Sequence, residues 1–383
     1  MLKRFLAGRA ASRAQETKAS AAGPVIALQV AGRPRWTPRD YGAFAREGFQ
    51  KNPVVHRAVR MIAEGAASVP MLVFDGDKEA DGHELFRLLQ RPNAMQTGAE
   101  LMEAAYASLM IAGNAYVEAV RDAEGAPREL YTLRADRVKV MPGSDGWPEA
   151  YLYAAGGREV RLGRGDVMHL KLFHPADDHY GLSPLEAAAE AVDLHNQMAA
   201  WNKALLDNAA RPSGALVYRG HDGLLSDEQF QRLKQELDNQ RSGPRGAGRP
   251  LVLEGGLDWT PMSLTPHEMD FDAGRNAAAR DIAMAFGVPP MLLGVPGDAT
   301  YANYEAATLA FWRGTVLPLV SRMAAALTAF IAHEFGADVR LQGDADAIAA
   351  LAPERAMLWA RLDAASFLDR DEKRIAAGYG AAG

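Results

Sequence analysis

Five side chains with metal-binding or proton-transfer chemistry crowd into one stretch, HLKLFHPADDHYGLSP: His169, His174, Asp177, Asp178 and His179. Imidazole and carboxylate together suit zinc or manganese, so the cluster has a hydrolytic reading. The spacing is loose, however, and Pro175 and Gly181 make the segment a loop, so no helix presents the histidines on one face. A structural role, ordering that loop, stands beside the metal-dependent hydrolase reading of His169, His174 and His179. A second candidate is the basic loop carrying Arg241, Arg245 and Arg249, which would meet phosphates or an acidic partner, or simply be solvated. A third is the Gly- and Pro-rich stretch 291–303. It delivers Tyr301, Asn303 and Tyr304 to the start of a long helix, where they would either pack or touch nucleic acid.

The sequence has no cysteine, which removes thiol nucleophiles, disulfides and Cys-ligated metals. It also lacks G-x-S-x-G, Walker A, G-x-G-x-x-G and H-E-x-x-H patterns. ATP-driven work must therefore come from another protein. The expectation is a non-enzyme with no cofactor and no metal.

The elements that would position these residues are legible from caps and periodicity. Asn52 caps a helix with Pro53 at its first position, and Val55, Val59, Ile62 and Ala66 repeat at helical spacing. Residues 71–74 read as a strand, and His83 to Gln90 as a short helix. Thr97 and Glu100 form a capping box for a helix that stops near Gly113. Short runs between 131 and 172, separated by Gly-rich turns, read as antiparallel strands. Ser183-Pro184-Leu185-Glu186 opens a long helix reaching about residue 210. A strand at 213–217, a capped helix from Ser226 and a hairpin pairing 250–254 with 258–264 form an inserted module. Thr265-Pro266 starts a second helix ending at Gly287, stopped by Pro289-Pro290. A further helix to Glu334 contains Gly314 and Pro318, so a kink is predicted there. The last residues read as one or two helices. The fold class is α+β.

The net charge of −6 argues against tight, non-specific gripping of duplex DNA, which basic proteins do. The most apolar stretch, 316–332, is broken by Pro318, Ser321 and Arg322, so no membrane span is expected. Residues 1–35 are small, polar and basic, and read as a flexible arm without a signal-peptide core.

Two consecutive motifs carry a family resemblance: RDIAMAFGVPPMLLG at 280–294 and TYANYE at 300–305. With NPVVHRAV (52–59), RPN (91–93), GNAY (113–116), YGLSPL (180–185) and NAARPSG (208–214), they follow in order and spacing. The chain resembles the Hong Kong 97-like phage portal family. That resemblance implies a portal fold: a wing over 36–182, a first stem helix over 183–212, an α/β clip over 213–264 and a second stem helix over 265–290. It further implies a tunnel loop over 291–304, a kinked tunnel helix over 305–336, and a small helical crown and tail over 337–383. It implies a homo-oligomeric ring, a dodecamer, at one capsid vertex. Double-stranded DNA would pass through it non-specifically. Terminase large subunit, head–tail adaptor and major capsid protein would be its partners. Thr300, Tyr301, Asn303 and Tyr304 would face DNA, and Arg241, Arg245 and Arg249 would dock partners at the clip. Lytic phage, prophage and gene transfer agent remain open as the setting, with assembly in the bacterial cytoplasm. A ring scaffold without DNA passage is the other alternative.

Overall fold

Capping residues set the first elements. The computed structural model describes residues 36–80, 82–207, 270–297 and 300–379, together with 214–218, 257–261 and positions 228, 231, 232 and 235. Asp40 accepts the Ala43 N–H (2.8 Å) to start α1 (Tyr41–Ala43), which runs on as a π-helical segment, Phe44–Gln50. Asn52 Oδ1 accepts from Val54 N (3.0 Å) and Val55 N (3.1 Å) and opens α2 (Pro53–Ala67). The predicted stripe, Val55, Val59, Ile62 and Ala66, is buried. Strands β1 (Met71–Asp75) and β2 (Lys78–Glu79) follow, then α3 (Glu84–Gln90), capped by His83. Helix α4 (Gly98–Ala112) has both arms of its Thr97–Glu100 capping box.

Gly113 ends α4 with φ 71°, where an L side chain is strained. A Cβ there would fall 2.3 Å from the Gly181 carbonyl oxygen, and one on Gly181 would fall 2.2 Å from the Gly113 oxygen. The two glycines thus press backbone against backbone. From this corner the chain enters two antiparallel three-stranded sheets. One is ordered β4 (Pro127–Leu133), β3 (Asn114–Arg121), β8 (Val167–Lys171); the other is β5 (Val138–Pro142), β6 (Pro148–Ala155), β7 (Arg158–Gly163). The period of two divides β3 between two cores. Ala115, Val117 and Ala119 join the main core with α2 and α4. Tyr116 points the other way, into a small cluster with Leu133, Val138, Val140, Tyr151 and Val167.

The long helix expected from Ser183 forms in two pieces. Ser183 caps α5 (Pro184–Ala187), Ala188 departs at φ −87°, ψ 0°, and α6 (Ala189–Asp207) resumes. Leu185 is fully buried, and its methyl carbons would lie 2.9 Å from any Cβ on Gly48.

The chain divides into two compact units: 36–200 with 270–383, and 1–35 with 201–269. In the second, β9 (Gly214–Tyr218) pairs antiparallel with β10 (Leu257–Pro261), Gly214 opposite Pro261. The part of the predicted 258–264 strand that is described, up to Pro261, pairs with β9, while residues 250–254 and 262–264 lie outside the described residues. Glu228, Gln231, Arg232 and Gln235 are helical, as the Ser226 cap predicts.

In the larger unit, Asp270 adopts φ 48° and α7 spans Phe271–Ala285. The second predicted helix is seen from Phe271, after the left-handed Asp270; residues 265–269 lie outside the described residues. Helix α8 (Tyr301–Phe311) leads into a π-helical turn, Trp312–Val316, and then α9 (Leu317–Ile331). Here Pro318 does not break the helix. The wider turn, in which Leu317 N–H reaches Trp312 O, takes up the crowding a proline ring imposes on the preceding turn. Residues 302–334 are long and apolar enough, by composition, to cross a membrane, more so than the broken run at 316–332 predicts. Val320, Met323, Ala324, Leu327 and Ile331 spend that apolarity on the main core.

The C-terminal segment holds a strand the sequence reading missed. Strand β11 (Val339–Gly343) pairs antiparallel with β1, from Met71 opposite Gly343 to Asp75 opposite Val339. Val339 and Leu341 enter the main core. Residues 339–343 therefore belong to the body rather than to a separate helical cap. Helices α10 (Ala352–Ala364) and α11 (Arg370–Ala376) follow.

Candidate functional site

The segment between α7 and α8 is built from the residues upward as a braced turn. Gly287, at φ 65°, ends the run after α7, and its carbonyl accepts from Thr315 Oγ1 (2.6 Å) in the π-helical turn. Pro290–Leu293 forms a short 3-10 turn closed by Gly294 at φ 75°. Leu292 and Val295 are buried and anchor it. Arg280 reaches across from α7 and donates to Pro296 O. Gly297 lies so near that guanidinium that a Cβ would sit 2.6 Å from Nη2. Arg280, Thr315 and these glycines position the segment.

The sequence places a loop up to residue 303, but α8 begins at Tyr301. Thr300 is the reason: its Oγ1 accepts from Asn303 N (3.3 Å), and its carbonyl from Tyr304 N (3.0 Å). Thr300 therefore serves as the cap, while Tyr301, Asn303 and Tyr304 stand on the first helical turn. Thr300, Asn303 and Tyr304 are exposed. The exposed start of α8 thus carries a hydroxyl, an amide and a phenol, the Thr300 hydroxyl serving as the cap.

The histidine cluster is not assembled. His169 Nε2 donates to Asn114 Oδ1 (2.9 Å), since the Asn114 amide already donates to Ala112 O and so turns its oxygen to the ring. Its ring stacks on Tyr116 (4.3 Å between centroids) and meets Tyr151 edge-on. Burial, helped by the Lys171 charge, pushes its pKa down to about 4. His174 Nδ1 accepts from Ala176 N (3.0 Å). Asp177 Oδ1 accepts from His179 N (2.7 Å) and Tyr180 N (2.9 Å), holding the turn. These backbone bonds keep the Asp177 carboxyl below its usual range. Among the described residues no group of three potential metal ligands converges. Arg241, Arg245 and Arg249 lie outside the described residues.

A buried polar network joins three helices, and sequence reasoning did not find it. Asn52, besides capping α2, directs Nδ2 to His195 Nδ1 (3.1 Å) and to Asn196 Oδ1 (3.0 Å) on α6. Asn196 Nδ2 donates to Glu47 O (2.8 Å), and Arg275 Nε on α7 approaches His195 Nε2 at 3.3 Å. Only the cap at Asn52 was visible in the sequence. Its second duty requires partners more than a hundred positions away.

The chain thus combines helices packed on antiparallel sheets, a second unit inserted between residues 200 and 270, and a braced turn between α7 and α8. Residues 53–378 match the family model for phage portal protein, and the chain belongs to that family, whose role is structural rather than enzymatic. It is similar to the neck of an empty gene transfer agent particle computed with C6 symmetry, at 52% identity and a TM-score of 0.71, covering 91% of this chain and 96% of that one. The neck of the native particle computed with C12 symmetry matches at 52% identity and 0.68, covering 92% and 97%. The portal protein of Enterobacteria phage HK97 is 27% identical over 277 residues, 70% of this chain and 64% of that one. The chain is thus a Hong Kong 97-like portal protein, as the motifs at 280–305 imply.

Proposed function

We propose that copies of this chain form a dodecameric ring at one vertex of a phage-like particle, the channel through which double-stranded DNA enters and leaves. The observation that carries this reading is the 52% identity to a particle-neck chain over nearly its whole length. The same observation favours a gene transfer agent over a lytic phage or prophage as the setting. DNA passes without being gripped, which the net charge of −6 supports. Thr300, Tyr301, Asn303 and Tyr304, on their braced turn, are the side chains that meet it.

In this reading residues 36–182 and the strand at 339–343 make the wing, and 183–212 and 265–290 the stem. The clip spans 213–264, the tunnel helix follows residue 304, and the remaining C-terminal helices form the crown. The clip receives the terminase large subunit, which supplies the energy, and later the head–tail adaptor; major capsid protein surrounds the ring. Arg241, Arg245 and Arg249 make the clip contact.

Electron microscopy of the purified chain tests the reading. Rings with a hole wide enough for duplex DNA are expected, and a monomer under all assembly conditions overturns it. Reversing Arg241, Arg245 and Arg249 to Glu should leave rings intact and weaken terminase docking; unchanged packaging removes that role.

A further inference from the structure

The C-terminal hairpin lacks an enclosed face. Helices α10 and α11, joined by the turn at 365–369, bury no side chain. Helices this short depend on packing for their stability. At the base polar bonds hold them: Arg313 Nη2 lies 2.9 Å from the Glu354 carboxylate, and Asp346 accepts from Arg355 and Tyr379. Beyond the base, large apolar groups face outward. Phe367, on the turn, is 83% exposed and Met357 66%, with Trp359 and Ile375 also exposed. Beside them lies an open groove of about 610 Å³, lined by Trp359, Leu362, Leu368, Lys373, Arg374 and Tyr379. One short element therefore carries an aromatic projection and an aromatic-walled recess, both presented to solvent.

Charge divides the same way. The turn that carries Phe367 continues into Asp369, Asp371 and Glu372, all exposed, while Arg370, Lys373 and Arg374 outnumber the one carboxylate, Asp363, in the groove lining. An acidic tip with an apolar knob complements a basic groove with apolar walls. A twofold interface sets one patch against itself, whereas a closed ring needs two different patches that fit each other. A neighbouring copy of the same chain satisfies that requirement. DNA does not, because it would meet the acidic tip.

We infer that the occupant of the groove is the hairpin of the next copy: Phe367 of one subunit seats between Trp359 and Tyr379 of its neighbour, under Lys373 and Arg374, and so on around the ring. Basic groups over an aromatic ring add attraction to the apolar contact. This rests on the ring reading above.

The full-length chain with photoreactive benzoylphenylalanine at position 367 tests it. Electron microscopy first records whether rings form; irradiation and peptide mapping then record what position 367 touches. Rings whose links run from 367 to residues 359–379 of another copy are expected. Rings with no such inter-copy links overturn the hairpin contact and leave the ring reading intact. Links to added DNA or capsid protein instead also overturn it. Absence of rings in the unsubstituted chain overturns both. Independently, Phe367→Asp should raise the concentration needed for assembly at least tenfold while leaving the thermal midpoint of the unassembled chain unchanged. Assembly at the wild-type concentration would sink the proposal.

Discussion

Asn52 Nδ2 stands 3.1 Å from His195 Nδ1, and this contact ties the start of α2 to α6. The Asn52 oxygen is committed to the α2 cap, so its nitrogen can only donate. Arg275 Nε donates to His195 Nε2 at 3.3 Å, so both ring nitrogens face a donor, and a neutral imidazole, which carries one proton, can accept at only one of them. Burial and the Arg275 charge both hold the His195 pKa down. Asn52→Ala removes a cap worth about 1 kcal/mol. It also strands buried groups on His195 and Asn196, at about 1–3 kcal/mol more. Urea denaturation should show a loss of about 2–4 kcal/mol. Asn52→Asp, which keeps the cap acceptor, should lose less at pH 5 than at pH 8, because a carboxylate welcomes a charged His195.

His169 makes stability fall in acid. Its folded pKa of about 4 lies below the ordinary value near 6.5, so the unfolded chain binds the proton first. Its contribution is complete above about pH 6.5 and is lost between there and about pH 4, at about 1.4 kcal/mol per pH unit and about 3 kcal/mol in all. Denaturation midpoints measured across that window should slope downward toward acid. His169→Gln, which keeps a donor for Asn114 Oδ1, should flatten the slope; an equally steep slope would assign the effect elsewhere.

Gly113 and Gly181 tolerate nothing larger. Gly113→Ala combines a left-handed φ with a Cβ driven onto the Gly181 backbone, and neither strand can shift without breaking the bond from Leu172 N to Gly113 O (2.8 Å). A cost of at least about 2 kcal/mol is expected, read as a lower thermal midpoint and lower yield of folded chain. Gly125→Ala, whose Cβ meets nothing within 4 Å, carries only the conformational strain and should cost less.

The Asp346 clasp controls the C-terminal hairpin and little else. Its carboxyl, held below its ordinary range by Arg355 and Tyr379, loses both bonds in Asp346→Ala. Arg355 also donates to Ala377 O (2.7 Å), so the hairpin should open as a unit. Trypsin should cut at Arg361 and Arg370 several-fold faster, with the global midpoint moving by less than about 1 kcal/mol, because no core side chain is disturbed.

Local signals wrote much of this fold into the sequence. The caps at Asn52, Thr97 and Ser183, and the stops at Gly113 and Gly287, act within one turn and depend on no distant partner. The family was legible from the motifs at 280–305. What was hidden depends on residues far apart. Val339 and Leu341 alternate with Arg340 as a strand should, yet a five-residue run names no partner, and only β1 makes it a strand. Pro318 announced a disturbance in its helix but not that a π-helical turn would absorb it. His195, Asn196 and Arg275 have no spacing that marks them as one network. At the candidate site, Thr300 reads as an ordinary loop threonine until Asn303 and Tyr304 bond to it.

The pairing of β1 with β11 bears on how the chain is made. Gly343 leaves the ribosome long after Met71, so the sheet they share cannot close until the whole intervening chain has been made. Until then Val73 and Phe74 have an open strand edge beside them, a template for the wrong chain. Closing this sheet is therefore a long-range event and correspondingly slow. A nascent chain cut short before residue 339 would keep every cap and motif named above and still leave its first sheet unfinished.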